Sequence, residues 1–168
     1  MTETTGWKHW APMTALALIL TTPALTGCKS GLLRMMGMTP AKTSIAAEIT
    51  ATPGVNPDIN GRPSPIVVRL YELRASGMFE GADFFSLYES ENEALGGDLL
   101  GREEFELQPG GSRTWERSLA ADARYLGVLG AYRGLDQAQW RVTYKLQPES
   151  ENKISIEIGD RAITIQER

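Results

Sequence analysis

The chain has 168 residues, 42% of them hydrophobic and 23% charged, with Lys+Arg 17 against Asp+Glu 21, one His and one Cys. That balance suits one globular domain and excludes a disordered tail, a collagen-like repeat and a disulfide-stapled miniprotein. A formal net charge of −4, with no basic stripe along the chain, argues against a nucleic-acid surface.

In chain order, residues 1–27 read first, as a signal peptide. Residues 11–27 carry no charge, their apolar centre is Ala15-Leu16-Ala17-Leu18-Ile19-Leu20, and Lys8 supplies the preceding cation. This run is shorter than the roughly 20 apolar residues a membrane-spanning helix needs. It closes on Leu25-Thr26-Gly27-Cys28, which looks like a bacterial lipobox. Small residues there let a peptidase cut between Gly27 and Cys28, and the Cys28 thiol takes a diacylglyceryl group as a thioether. Cys28 then becomes the acylated first residue, carrying further fatty acyl groups such as palmitate. Lys29 rather than Asp in the second mature position resembles lipoproteins sorted to the outer membrane of Gram-negative bacteria. His9 departs with the signal peptide, so the mature chain has no histidine and no free thiol.

Residues 28–42 read as the acylated Cys and a flexible tether, with Gly31, Gly37, Pro40 and the methionines Met35, Met36 and Met38. Such a coil spans roughly 20 Å root-mean-square. Residues 43–168 form the predicted domain, where the pattern turns to period two. Trp140, Val142, Tyr144 and Leu146 alternate with Arg141, Thr143 and Lys145, and Ile154, Ile156 and Ile158 alternate with Ser155 and Glu157. Gly159-Asp160 offers a two-residue hairpin turn before Ile163 and Ile165. Phe105 and Leu107, then Trp115 and Leu119 beyond Pro109-Gly110-Gly111, mark two more strands. Residues 44–52, 66–73 and 124–133 bring the total to about eight, which favours a sandwich or barrel. Phe84, Phe85, Leu87 and Tyr88 break the alternation at helical spacing, with Asp83 as the predicted N-cap. Residues 92–101 read as loop.

Loss of His and free Cys removes Ser-His-Asp and Cys-His nucleophilic sites and the usual zinc ligands, so no cofactor or metal is expected. Carboxylates remain: Asp83, Glu89, Glu103, Glu104 and Asp136 could in principle pair for glycoside hydrolysis, but their positions favour solvated faces and a helix cap. Gly127, Gly130 and Gly134 lack phosphate-loop spacing and read as packing or bulge glycines. Residues 56–61 resemble the start of an EF-hand loop, but Val67 stands where the bidentate Glu is required.

That stretch lies inside a 53–65 loop rich in Pro, Gly, Asn and Asp. Loops of this length are often functional, and prolines lower the entropy lost on docking. The candidate partner-binding residues are Pro53, Gly54, Val55, Asn56, Pro57, Asp58, Ile59, Asn60, Gly61, Arg62 and Pro63, with Ile59 and Arg62 as anchors.

The segments SPIVVRLYEL (64–73), ADFFSLYE (82–89) with Phe79 before it, DLLGREEFELQPG (98–110) and ARYLGVLGAYRGLDQAQWR (123–141) resemble the TssJ (SciN) family, outer-membrane lipoproteins of the bacterial type VI secretion system. The resemblance covers nearly the whole mature chain. It implies a mainly β, transthyretin-like antiparallel sandwich of about eight strands with one or two short added helices, and no enzymatic activity. It also implies lipid anchoring through Cys28 on the periplasmic face of the outer membrane. The implied partners are the periplasmic C-terminal domain of the inner-membrane subunit TssM and other subunits of the membrane complex. By strand order, the family's TssM-contacting loop falls on the 53–65 segment. Two alternatives are weaker. Transthyretin-like hydroxyisourate hydrolases rely on histidines that the mature chain lacks. A small-ligand or peptidoglycan-binding lipoprotein would need a cleft lined by Trp115, Tyr125, Tyr132 and Trp140, which alternate like core residues.

Overall fold

In a computed structural model, which describes residues 41–168, the period-two stretches become eight strands in two four-stranded sheets. They are β1 (Ser44–Ala51), β2 (Ile66–Leu73), β3 (Leu99–Leu107), β4 (Ser112–Ser118), β5 (Tyr125–Gly130), β6 (Arg141–Lys145), β7 (Glu151–Ile158) and β8 (Ile163–Glu167). The first sheet has the order β4-β1-β7-β8 and the second β3-β2-β5-β6. All strand pairs are antiparallel except β1 with β7, which runs parallel in register from Ser44 opposite Glu151 to Ala51 opposite Ile158.

Alternation places every second residue inward. Ile45, Ala47 and Ile49 of β1 and Ile154, Ile156 and Ile158 of β7 meet Ile66, Val68 and Leu70 of β2 and Leu126 and Val128 of β5 in one buried core. β2 is buried on both faces, and its other face carries Arg69, Tyr71 and Leu73. Three short helices cover that face: α1 (Gly77–Gly81), α2 (Phe84–Glu89) and α3 (Glu91–Leu95), followed by a 3-10 turn at Gly96–Asp98. Tyr71, Leu73, Phe79, Leu87, Leu95 and Leu129 form a second buried cluster beneath them. Gly127 of β5 makes room for it, since a Cβ there would stand 3.1 Å from the Phe79 ring.

The helices are three, not the one or two expected, and α3 with its 3-10 turn occupies most of the stretch read as loop. Each of α1 and α3 is five residues long and buries one side chain, so neither leaves a periodic signal. Asp83 caps α2 as anticipated, accepting from the Ser86 amide at 3.0 Å. The β7–β8 turn is centred one residue later than Gly159-Asp160: Gly159 N donates to Ala162 O at 2.8 Å, while Gly159 O accepts from the Tyr132 hydroxyl.

Two poles result. The chain enters β1 at one, where Leu119 N donates to Thr43 O, Glu149 N to Thr43 Oγ1 and Ser44 N to Ser150 O. The 53–65 loop lies at the other, roughly 25 Å away along eight extended residues.

Candidate docking surface

The 53–65 loop divides into a buried base and an exposed tip. Val55 and Asn56 are buried, and Asn56 sits at φ 50, a left-handed conformation that Asn tolerates better than most residues. Three elements meet on Asn56. Its amide donates to Asp160 O at 3.2 Å, its Nδ2 to Pro65 O at 2.7 Å, and its Oδ1 accepts from Arg133 N at 2.8 Å. One side chain thus joins the loop to the β5–β6 connection and its backbone to the β7–β8 turn. Ser64 N to Val55 O and Asp58 N to Arg62 O then close the loop into a small hairpin.

Asp58 organises the tip. Its Oδ1 accepts from the amides of Asn60 and Arg62 at 2.8 and 3.0 Å, and its Oδ2 faces Arg62 Nε and Nη2 at 2.9 and 2.8 Å. Gly61, at φ 78, turns the chain back. The oxygens that made this stretch resemble a calcium loop are therefore used within the turn. What the tip presents outward is Ile59, fully exposed, and the 77% exposed Arg62 side chain. An isolated surface Leu or Ile is ordinary, but one at the apex of a hydrogen-bonded hairpin is held ready for contact at little further entropic cost.

The hydrogen bond from the Arg62 amide, with those from its side chain and the Asn60 amide, holds the Asp58 carboxyl below its ordinary value. A depressed folded-state value means that the stabilisation is present above the usual carboxylate range and lost as pH falls through the depressed value. Relative to its intrinsic rate at each pH, amide exchange at Asn60 and Arg62 is therefore expected to stay slow from neutral pH into the ordinary carboxylate range and to quicken below that range. Asp58→Asn should quicken it already at neutral pH. Equal protection in the variant would show that Asp58 does not hold the tip.

Beside the loop runs an open groove of about 580 Å³, lined by the tip, by Tyr132, Arg133 and Gln137 of the β5–β6 connection, and by Asp160 and Arg161 of the β7–β8 turn. Asp160 Oδ1 accepts from Thr52 Oγ1 at 2.8 Å. Tyr132 is buried, and loss of hydration raises its phenol well above the ordinary value, with Asp160 adding to the shift. Arg133, Asp160 and Arg161 were not among the sequence candidates; their link to the loop depends on contacts such as the one between Asn56 and Arg133, 77 residues apart.

The remaining candidates separate. Gly27 and Cys28, with the tether up to residue 40, lie outside the described residues. Asp83 is a helix cap, Glu103 pairs with Arg113 and Glu104 with Arg69, while Glu89 and Asp136 are exposed in different elements. Trp115 and Tyr132 are buried, and Tyr125 and Trp140 pack against the two cores, so the four aromatics do not line a common cleft.

A family model for type VI secretion lipoproteins (T6SS-SciN; VasD, EvfM, TssJ) matches residues 43–161. Among solved structures, the chain is similar to the type VI lipoprotein TssJ1 from Pseudomonas aeruginosa, at 38% identity over 76% of this chain and 97% of that one, with a TM-score of 0.74. It is also similar to Serratia marcescens Lip, a membrane-bound component of the type VI secretion system, at 29% identity over 75% and 98%, TM-score 0.69. A further likeness is to a chain in a structure described as the C-terminal domain (869–1107) of the type VI protein TssM from EAEC, at 25% identity over 75% and 99%, TM-score 0.60. No curated protein matches the sequence.

Proposed function

Because the chain belongs to the type VI secretion lipoprotein family, we propose that it anchors the secretion system's membrane complex to the outer membrane and docks the periplasmic part of TssM through the 53–65 loop. In this reading residues 1–27 are removed, Cys28 is acylated, and residues 28–42 tether the 43–168 sandwich to the periplasmic face of the outer membrane. A multiply acylated residue holds stably where a single chain is marginal.

The observation that carries the reading is the opposition of the poles. The chain enters β1 at one end of the sandwich, and a preformed hairpin with an exposed apolar apex stands at the other. A lipid-held module built this way leaves its hairpin facing away from its own leaflet. The structure described as the TssM C-terminal domain supports the partner, because it holds a chain similar to this one. Three-quarters of this chain covers almost all of the matched chain, whereas 869–1107 spans far more residues, so the likeness lies with a chain other than the TssM fragment as numbered. The module is read as non-enzymatic, because the carboxylates that sequence singles out are scattered over caps, ion pairs and separate surfaces.

The test is a calorimetric titration of the full-length, detergent-extracted lipoprotein with the periplasmic C-terminal fragment of TssM from the same bacterium. Val55 and Asn56 belong to the folded interior, so the clean substitution is at the apex. Ile59→Ser is expected to weaken binding by about tenfold or more, in the range of an interface anchor, without shifting the unfolding midpoint. Unchanged affinity would remove the loop from the interface.

A further inference from the structure

We infer that the groove beside the loop receives an acidic segment of the protein partner, bound by the guanidinium groups of Arg133 and Arg161; this rests on the docking reading above. Among the described residues, every arginine but these two has a side-chain partner. Arg62, Arg69, Arg74, Arg102, Arg113, Arg117 and Arg168 face carboxylates, and Arg124 and Arg141 donate to backbone carbonyls. Arg133 and Arg161 have neither, and both line the same groove. With Arg62 they set three guanidiniums against the carboxylates of Asp58 and Asp160 in that lining, a local excess of positive charge on a chain whose formal charge is −4.

The backbones that carry them are fixed while the heads are not engaged. Arg133 N donates to Asn56 Oδ1 at 2.8 Å, and Arg161 O accepts from Gln139 N at 2.8 Å. Of the two acids in the lining, Asp58 is engaged by the tip amides and Arg62 and also feels the charge of Arg133, while Asp160 accepts from the Thr52 hydroxyl; neither forms an ion pair with Arg133 or Arg161. Guanidinium matches a carboxylate in a two-pronged planar contact, and prepositioned backbones reduce the ordering cost of making it. Ile59 stands beside the groove, so the fitting segment carries carboxylates next to an apolar residue. Position favours a protein over lipid phosphate: the groove lies at the pole opposite the chain's entry into β1.

The experiment titrates the full-length, detergent-extracted lipoprotein with the same TssM fragment, from low to high salt, roughly 0.05 to 0.5 M. Wild-type affinity should fall by about tenfold across that range, and the double variant Arg133→Glu/Arg161→Glu should bind at least about thirtyfold more weakly and lose the salt dependence. Arg133→Lys/Arg161→Lys should lie between the two, keeping charge without the planar fork. If Ile59→Ser weakens binding while charge reversal and salt leave it unchanged, the docking reading stands and the acidic segment is refuted. No binding by the wild type refutes both. If charge reversal removes a preference of the lipoprotein for vesicles containing anionic phospholipid over neutral ones but spares TssM binding, the groove belongs to lipid and the inference is overturned.

Discussion

A Cys28→Ser chain is expected to carry no acyl groups, to be missing from the outer-membrane fraction and to abolish type VI secretion. A serine hydroxyl cannot replace the thiol in forming the diacylglyceryl thioether, and the cut after Gly27 depends on that modification in the lipobox reading. The effect should be large: in the anchoring proposal Cys28 carries the covalent link to the membrane, and no helix among the described residues is long and apolar enough to cross a bilayer. Membrane fractionation, mass spectrometry of the N-terminal peptide and an effector-secretion assay in the same strain read the three consequences. Normal secretion by the variant would overturn the anchoring proposal, and an acylated N-terminus would show that the modification lies on another residue.

The second large effect is predicted for the cover of β2. Arg69 is 8% exposed, and its guanidinium sits between Glu104 Oε2 at 2.5 Å, Tyr88 O at 2.7 Å and the Tyr88 ring, whose centroid is 4.0 Å away. The Tyr71 hydroxyl donates to Leu87 O beside it, and burial pushes that phenol up to about 12. This cluster pins α2 and α3 to the second sheet. Arg69→Ala takes the charged donor from the Tyr88 and Leu87 carbonyls and removes the buried arginine stem, and should cost about 2–3 kcal/mol in denaturant unfolding. That is a large part of the roughly 5–15 kcal/mol that holds an ordinary domain. Glu104→Gln should cost no more than about 1 kcal/mol, because the Glu104 side chain is 39% exposed and water can replace the pair. A loss below 1 kcal/mol for Arg69→Ala would show that apolar packing of Phe79 and Leu87 alone holds the helices down.

Strand positions were legible because one face of each sheet is buried, which imprints alternation on Ile154-Ser155-Ile156-Glu157-Ile158 and its counterparts. β2 is covered on both sides, and Arg69 and Glu72 interrupt its apolar residues, so the sequence marked it as a strand without showing that both faces are buried. What alternation cannot encode is a helix of five residues with glycine next after its last turn, and so α3 read as loop. The loop itself was visible from its prolines and turn residues, but its division into base and tip was not. Val55 and Ile59 are both apolar, and only the fold buries one and exposes the other. Arg133 and Arg161 left no local trace either. An arginine's significance here lies in lacking a partner, and partners are assigned by contacts between residues far apart in the chain.

The placement of β1 has a mechanical consequence. It is an inner strand, bonded to β4 on one side and β7 on the other along nearly its whole length. Because the chain enters at its start and the hairpin leaves from its end, tension between the two ends acts along the strand axis. Both ladders are then loaded in shear, with their hydrogen bonds sharing the force together instead of opening one after another as in a peeled edge. Under the docking proposal, a partner pulling on the hairpin would meet the sandwich in its strongest direction, and the first strand would serve as the tie rod between tether and partner.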